Sequence, residues 1–430
     1  MTGFPLSQRA LQAGGQPIGP LMHRALAQPE LISLAAGFVD QHTLPVELAS
    51  EALSALLGES DRGQAALQYG TTAGHRPLRQ ALLDRMLAAD GGGAHSAPGV
   101  DQVIVTAGSN ELLFLLADTL LDPGDIVLCA APTYFVFLGA LANQGARAIG
   151  VPTDEDGVIP AGVDEALARL EAAGQLERVK AFYLPSYFDN PTSVTLSAAR
   201  RPELVETLAR WNRKTPLVLL EDAAYRELRY DGADLPSLAH YDESGELVAS
   251  TGTFSKSFAP GVRIGWGVLP KWLVEPVLNQ KGNIDFGTAN LNQHLMHQVL
   301  TGGRYEAHGD KLRAAYTAKR DAMLEALEAT FGHRAGFHWK APAGGLYVWL
   351  TLPPEFDTGL DGALFDRALG QGMLYVPGQY FYPAEGPPPA CNTMRLSFGV
   401  QPAARIGLGI AALGRAVDQV LAEQPSAAAR

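Results

Sequence analysis

The sequence has little of several features that mark specialised classes of protein. Only two of its 430 residues are cysteine, Cys129 and Cys391, which is too few for a disulfide framework and leaves no paired-cysteine metal motif. No apolar run is long enough to cross a bilayer. The first residues lack the basic segment and apolar stretch of a signal peptide. These absences favour a cytoplasmic protein with no membrane partner and no metal site.

Positive charge is also scarce. Lysine and arginine total 33 residues against 45 aspartates and glutamates, so the formal net charge is −12. An acidic chain matches nucleic acid poorly, because a phosphate backbone requires a basic protein face. A small anion in one local basic pocket remains compatible with this balance.

What is present is the composition of a globular protein, 47% hydrophobic and 18% charged. Short β-rich runs alternate with helical patterns, which predicts a mostly parallel sheet covered by helices on both faces. The seven predicted strands are Val103–Thr106, Ile126–Cys129, Arg147–Val151, Ala181–Leu184, Leu217–Leu220, Leu247–Thr251 and Ile264–Val268. We expect a large α/β domain over residues 46–302. A smaller α+β domain would contain residues 303–430, with residues 1–45 packed against it.

The segment STGTFSKSFAPGVRIGWG contains the first candidate for chemistry. A lone lysine is usually a solvated surface charge. Lys256, however, follows a β-rich run and has no acidic neighbour in sequence, so it can be partly desolvated and give up its proton more easily. Thr253, Ser255 and Arg263 would together bind a dianionic phosphate.

Polar residues at the ends of other predicted strands are further candidates, because parallel sheets bind ligands there. Gly108, Ser109 and Asn110 open a helix and offer an anion site, although Ser and Asn are also common plain caps. Asp222 closes an apolar strand, where its carboxylate needs a cation or strong donors; the alternative is a simple capping role. Asn190 precedes a proline and is equally compatible with a turn.

Together these segments resemble a known family. In order along the chain stand AAGF, LQYGTTAGHRPLR, the GSN turn, PTYF, DNPT, EDAAY, SKSFAPGVRIGW and MRLSFG. From about Leu31 to Leu413 the chain resembles fold-type I enzymes that use pyridoxal 5′-phosphate (PLP), in the class I/II aminotransferase branch. Its opening is similar to the aminoadipate and kynurenine aminotransferase subgroup. The resemblance implies a PLP-dependent transferase fold with a seven-stranded, mainly parallel sheet, and an aminotransferase that acts on amino acids and 2-oxo acids.

The resemblance also implies a role for each matching position. Lys256 would hold PLP as a Schiff base and move the proton, Asp222 would pair with the ring nitrogen, and Tyr134 would stack on the ring. The other implied contacts are Tyr225 and Asn190 to the phenolic oxygen; Gly108, Ser109, Asn110, Thr253, Ser255 and Arg263 to the phosphate; Tyr69 to a phosphate in the partner subunit of a homodimer; and Arg395, Gly37 and Asn190 to the substrate.

Two departures from the family pattern affect these expectations. The usual Asn-Pro-Thr-Gly is here Asn-Pro-Thr-Ser, with Ser193 in place of glycine. Where some members have an arginine for acidic side chains, this chain has Leu21 or Met22, with Arg24 nearby, so an apolar or aromatic substrate fits equally well. A β-lyase, decarboxylase or synthase of the same fold is an alternative function, and a ligand-sensing domain of a transcription regulator is a further one.

Overall fold

The computed structural model describes residues 5–14, 19, 21, 23, 27–28, 30–92 and 96–423. Its main sheet has the strand order β2-β9-β8-β7-β6-β3-β4-β5. These strands are β2 (Val103–Thr106), β3 (Ile126–Ala131), β4 (Arg147–Asp154), β5 (Gly157–Val158), β6 (Val179–Pro185), β7 (Val218–Asp222), β8 (Val248–Thr253) and β9 (Gly265–Val268). The five strands β3, β4, β6, β7 and β8 are parallel, and β9 runs antiparallel between β2 and β8.

All seven predicted strands are present in this sheet, so the predicted fold class is confirmed. The predicted number of strands is one too low, because the two-residue strand Gly157–Val158 pairs with the end of β4. A pair of residues beside a turn carries no periodic signal that distinguishes a strand from a loop. This eighth strand lies at the edge of the sheet and does not alter its parallel centre.

Helices cover both faces of the sheet, as the continuous apolar strands require. Successive residues of β3 show this: Ile126 and Leu128 enter one hydrophobic cluster, while Val127 and Cys129 enter another on the opposite face. The helices in this part of the chain are Val46–Gly58, Ser60–Leu67, Arg76–Ala89, Ser109–Leu120, Phe135–Asn143, Pro160–Ala172, Arg200–Asn212, Phe254–Ser257, Lys271–Ile284 and Asn290–Thr301. Among the described residues, no helix combines the length and the apolarity that a membrane crossing needs.

A second, smaller sheet follows later in the chain. Its antiparallel strands are β10 (Tyr347–Thr351), β12 (Val376–Pro377) and β13 (Thr393–Ser397), with β13 in the centre. Near the N-terminus, Gln8–Gln12 is helical, and the short strand β1 (Ile32–Ser33) pairs with β11 (Met373–Leu374). The helices around this sheet are Tyr305–Phe331, Ala363–Gly370 and Ala403–Glu423.

Candidate active site

A cavity of about 330 Å³ adjoins the carboxyl ends of β7 and β8, and we call it the front cavity. The structure brings together every predicted site residue except Tyr69 around this space. The predicted residues that line it are Gly37, Gly108, Ser109, Asn110, Tyr134, Asn190, Asp222, Tyr225, Thr253, Ser255, Lys256, Arg263 and Arg395.

Lys256 lies in the four-residue helix Phe254–Ser257, directly after β8. The helix begins where the Thr253 hydroxyl accepts a hydrogen bond from the Ser255 amide at 3.1 Å. The Lys256 Nζ atom donates to the Gly37 carbonyl oxygen at 2.8 Å. Burial lowers the pKa of Lys256 from its ordinary value, so a larger fraction of the amine is neutral and able to act as a nucleophile.

Two loops and a helix end meet at one corner of the cavity, and this corner offers donors of the kind that suit an anion. Gly108 has a φ of 84° and precedes the helix Ser109–Leu120, whose first amides are free to bind an anion. Arg263 donates from Nη2 to the Ala107 carbonyl at 2.7 Å, and its Nη1 lies 3.4 Å from Ser255 Oγ. A β-carbon at Gly108 would lie 2.6 Å from Arg263 Nη2, so only glycine leaves this arginine in place.

A second glycine lets the strands and the helix approach each other at this corner. A β-carbon at Gly265, on β9, would lie 2.3 Å from the Gly108 carbonyl carbon and from the Ser109 nitrogen. Backbone atoms therefore touch backbone atoms here. The first turn of the helix consequently lies directly against the sheet, beside the arginine.

Asp222 is the last residue of β7 and lies buried in the wall of the cavity. Its carboxylate accepts hydrogen bonds from the Ala224 amide at 3.0 Å and from the Tyr183 hydroxyl at 3.1 Å. Thr251 Oγ1 lies 3.4 Å away. Burial raises the pKa of Asp222 above its ordinary value, and a cation in the cavity would favour the ionised form.

Arg395 projects from the central strand of the small sheet and is only 1% exposed, which excludes a surface role. Its Nη1 donates to Asn190 Oδ1 and its Nη2 to the Ala35 carbonyl, both at 2.7 Å. Its guanidinium carbon lies 4.3 Å from the centre of the Tyr347 ring. Its Nε is buried and has no hydrogen-bond partner among the described residues.

Tyr347 is a cavity residue that the sequence reasoning missed. Its hydroxyl lies 2.9 Å from that of Tyr225, and burial raises the pKa of Tyr225 well above the usual range. Tyr347 pairs with Ser397, two residues after Arg395, so both side chains lie on one face of the sheet. The pairing register of β10 with β13 would have revealed this neighbour, but the amino-acid sequence alone does not give that register.

Ser193 stands at the position where the family's Asn-Pro-Thr-Gly motif has glycine. Its φ is 57°, in the left-handed region that favours glycine. Two hydrogen bonds offset the strain: the Ser193 amide donates to the Asp189 carbonyl at 2.6 Å, and its hydroxyl donates to the Tyr347 carbonyl at 2.8 Å. The turn that contains Asn190 is therefore held by a side-chain hydrogen bond that a glycine at position 193 cannot form.

Tyr69 lies outside the front cavity of its own chain. It is 81% exposed, and its ring packs edge-on against Phe286 at 5.6 Å between ring centres. Of the N-terminal positions considered for an acidic substrate, Leu21 is buried at 1% exposure. Met22 and Arg24 lie outside the described residues.

Comparison with known proteins identifies the family. The model of aminotransferase class I and II matches residues 29–404. The chain belongs to this aminotransferase family. The aromatic-amino-acid aminotransferase 1 of Thermococcus litoralis is 34% identical over 415 residues, covering 96% of this chain and 94% of that protein.

Two solved structures of aminotransferases share the fold over nearly the full length. Kynurenine aminotransferase from Pyrococcus horikoshii has a TM-score of 0.87 at 33% identity and covers 97% of both chains. LysN, an α-aminoadipate aminotransferase from Thermus thermophilus, has a TM-score of 0.83 at 30% identity, covers 97% of this chain and 98% of its own, and holds a phosphopyridoxyl-leucine compound. The predicted subgroup and the predicted aminotransferase activity are confirmed.

As a member of this family, the aminotransferase uses PLP as its cofactor and amino acids and keto acids as substrates. The front cavity fits PLP by its own chemistry. It supplies an amine, a buried carboxylate and a corner of amides, hydroxyls and a guanidinium for a phosphate. Arg395 contributes a second guanidinium to the same cavity.

Proposed function

We propose that this aminotransferase moves an amino group from an α-amino acid to a 2-oxo acid by a ping-pong mechanism, with Lys256 as the residue that binds PLP and transfers the proton. The observation that carries this proposal is the partly buried Lys256 amine, with its lowered pKa, in one cavity with Asp222, Arg263 and Arg395. Each of these groups matches a different part of the cofactor and the substrate.

Each cavity wall would hold a different part of the cofactor. Asp222 would hold the ring nitrogen protonated, and Tyr134 would stack on the ring. Tyr225 and Asn190 would donate to its phenolic oxygen; the Asn190 amide nitrogen is available because its oxygen already accepts from Arg395. The phosphate would be held by Gly108, Ser109, Asn110, Thr253, Ser255 and Arg263.

Lys256 would carry the proton between two stages of the reaction. Bound PLP supplies a protonated ring that accepts the electrons of the substrate's Cα–H bond. The Lys256 Nζ atom, whose pKa burial lowers, would take the proton released at Cα and donate it back later. Burial raises the pKa of Tyr225 well above its usual range, so its hydroxyl keeps its proton and can donate a hydrogen bond.

Arg395 would fix the substrate by its α-carboxylate through two parallel hydrogen bonds, with Gly37 and Asn190 beside it. The side chain of the substrate would face Phe38, Phe135 and Val136, which also line the cavity. We therefore propose an amino acid with an apolar or aromatic side chain. The Thermococcus litoralis relative, named for aromatic amino acids, supports this choice.

We also propose that the active form is a homodimer in which Tyr69 reaches the partner's phosphate. Support comes from its exposed ring and from nearby exposed apolar side chains, including Phe286 at 61% and Ile284 at 54%. Exposed aromatic groups of this kind are typical of interfaces.

We also propose a cytoplasmic setting, which agrees with the two unpaired cysteines. Residues 46–302 and 303–430 would form the large and small domains.

An absorption spectrum tests the central assignment. The purified protein mixed with PLP should develop a visible band, which one amino acid from a panel should convert to a near-ultraviolet band and a 2-oxo acid should restore. Lys256→Ala should lose the band and at least about a thousandfold of the activity. Lys271→Ala, on the surface, is the control. A normal band in Lys256→Ala would refute the role of this lysine, and release of ammonia or carbon dioxide would indicate another PLP reaction.

A further inference from the structure

A second cavity of about 280 Å³, which we call the rear cavity, adjoins the front one. Ala224 and Thr253 line both cavities, so these two residues form part of a shared wall. Ser257 lines the rear cavity only, and Lys256, the preceding residue, lines the front cavity only. Lys256 therefore faces the front cavity, while the next residue, Ser257, belongs to a different cluster of side chains at the rear cavity.

On the rear side, Ser257 ends a chain of polar contacts that are buried at Ser257 and Tyr305 and partly exposed at Glu227 and Arg85. The Tyr305 hydroxyl lies 2.7 Å from Ser257 Oγ and also hydrogen-bonds the Glu227 carboxylate. Arg85 donates to the same carboxylate at 2.8 Å, and its guanidinium lies 4.7 Å from the centre of the Tyr305 ring. Tyr305 is 3% exposed. None of these four residues has a part in the chemistry proposed above.

The direction of the hydrogen bonds follows from counting protons. Burial, and next to it the charge of Glu227, hold the pKa of Tyr305 well above the usual range, so its hydroxyl stays protonated. Its single proton goes to the carboxylate, because a charged acceptor forms the stronger bond. The Ser257 hydroxyl therefore donates to the Tyr305 oxygen, and the chain runs from Ser257 through Tyr305 to Glu227.

The helix that carries Lys256 needs such a link to the rest of the fold, and we call the Ser257–Tyr305–Glu227 hydrogen bonds the tie. It has only four residues, Phe254–Ser257, which is too short to be stable by its own hydrogen bonds. Glu227 lies two residues after Tyr225, so the Tyr305 hydroxyl also connects this helix to the segment that follows β7. Tyr305 itself begins the 27-residue helix Tyr305–Phe331, which gives the tie a rigid base.

We propose that Tyr305 is a positioning residue for Lys256. Its bond to Ser257 holds the short helix in place beside the front cavity, and its bond to Glu227 joins that helix to the segment that contains Asp222 and Tyr225. The inference rests on the proposed role of Lys256. A displaced amine loses rate even when substrate still binds, because proton transfer depends on the position of the amine relative to Cα.

The test compares Tyr305→Phe, Ser257→Ala and the double variant with Tyr375→Phe. Tyr375 is a matched control, since it is a buried tyrosine whose hydroxyl donates to the Thr358 carbonyl at 3.0 Å, away from both cavities. Either single substitution on the tie should lower kcat by roughly tenfold and leave KM within about twofold. The double variant should be no worse than Tyr305→Phe alone, because that substitution already removes the bond to Ser257 together with the bond to Glu227.

A second readout uses the protein without PLP. Deuterium uptake by backbone amides 254–259 should be faster in Tyr305→Phe and Ser257→Ala, and unchanged in Tyr375→Phe. Unchanged kcat and uptake in both variants would overturn the proposal, as would equal effects in Tyr375→Phe. If Tyr305→Phe does not fold, Ser257→Ala decides alone. A PLP band that persists in Lys256→Ala would instead refute the proposed function.

Discussion

The front and rear cavities are neighbours, but they use their charged groups in opposite ways. In the rear cavity Arg85 donates to the Glu227 carboxylate at 2.8 Å, and the charges satisfy one another. In the front cavity the Arg395 Nε has no partner among the described residues, and the Lys256 amine donates to one backbone carbonyl, that of Gly37. One cavity has groups ready for a ligand, while the other has groups that are already bonded within the protein.

This difference indicates what each set of residues contributes. An unsatisfied buried donor costs free energy, and it persists where a ligand satisfies it during function. A hydrogen-bonded ion pair instead links the segments that carry it: Arg85 and Glu227, whose side chains are 35% and 31% exposed, join the helix Arg76–Ala89 to the segment after β7. Substitutions around the rear cavity should therefore change stability or geometry, and substitutions in the front cavity should change binding and chemistry.

The largest effect is expected from breaking a buried ion pair at the rear cavity. Glu221 lines this cavity, and Arg201 Nη1 lies 3.6 Å from its carboxylate, with both side chains 0% exposed. Arg201→Met leaves a buried carboxylate without its cation and should lower the free energy of unfolding by about 3 kcal/mol. Urea denaturation of the unsubstituted protein and of Arg201→Met measures this difference.

The neighbouring residue provides the control for that experiment. Arg200 pairs with the partly exposed Asp154 at the surface, so Arg200→Met should cost less than about 1 kcal/mol. Equal losses of unfolding free energy in Arg200→Met and Arg201→Met would show that burial does not make the Arg201–Glu221 pair more important for stability. The proposed stabilising role of the rear-cavity charges would then be wrong.

A smaller effect, confined to the chemistry, is expected in the front cavity. Arg395→Lys keeps the charge but removes the fork that binds a carboxylate, and should lower kcat/KM by roughly thirtyfold. PLP binding should change little, because Arg395 is assigned to the substrate. The control is Arg415→Lys, whose arginine donates to Gln371 at the surface. A loss of PLP binding equal to the loss of kcat/KM would contradict this division of roles.

The smallest effect concerns the part of the front cavity that we propose comes from the partner. Tyr69→Phe removes one hydroxyl from the proposed phosphate contact and should raise the Kd of PLP by roughly fivefold. Titration of the PLP-free protein measures it, with Tyr241→Phe as control, because Tyr241 lines neither cavity. An unchanged Kd in Tyr69→Phe would mean that the front cavity is complete within one chain.

Sequence reasoning identified the residues that follow strands, because a parallel sheet brings strand ends to one edge. Asp222 and Lys256 were found in this way. Tyr347 was not, because its place depends on the register of β10 with β13. The Tyr305 contacts join residues separated by 48 and 78 positions in sequence, and only packing brings them together.

Gly265 has a consequence for the size of the ligand. Its missing side chain lets the helix Ser109–Leu120 approach β9, and a β-carbon there would lie 2.3 Å from the helix backbone against an ordinary contact of 3.4 Å or more. An alanine would therefore push the first helical amides outward by about 1 Å. On the proposed assignment, the span from these amides to the Lys256 amine would match one rigid molecule that carries a phosphate at one end and an aldehyde at the other. Gly265 would then help to select the length of the ligand.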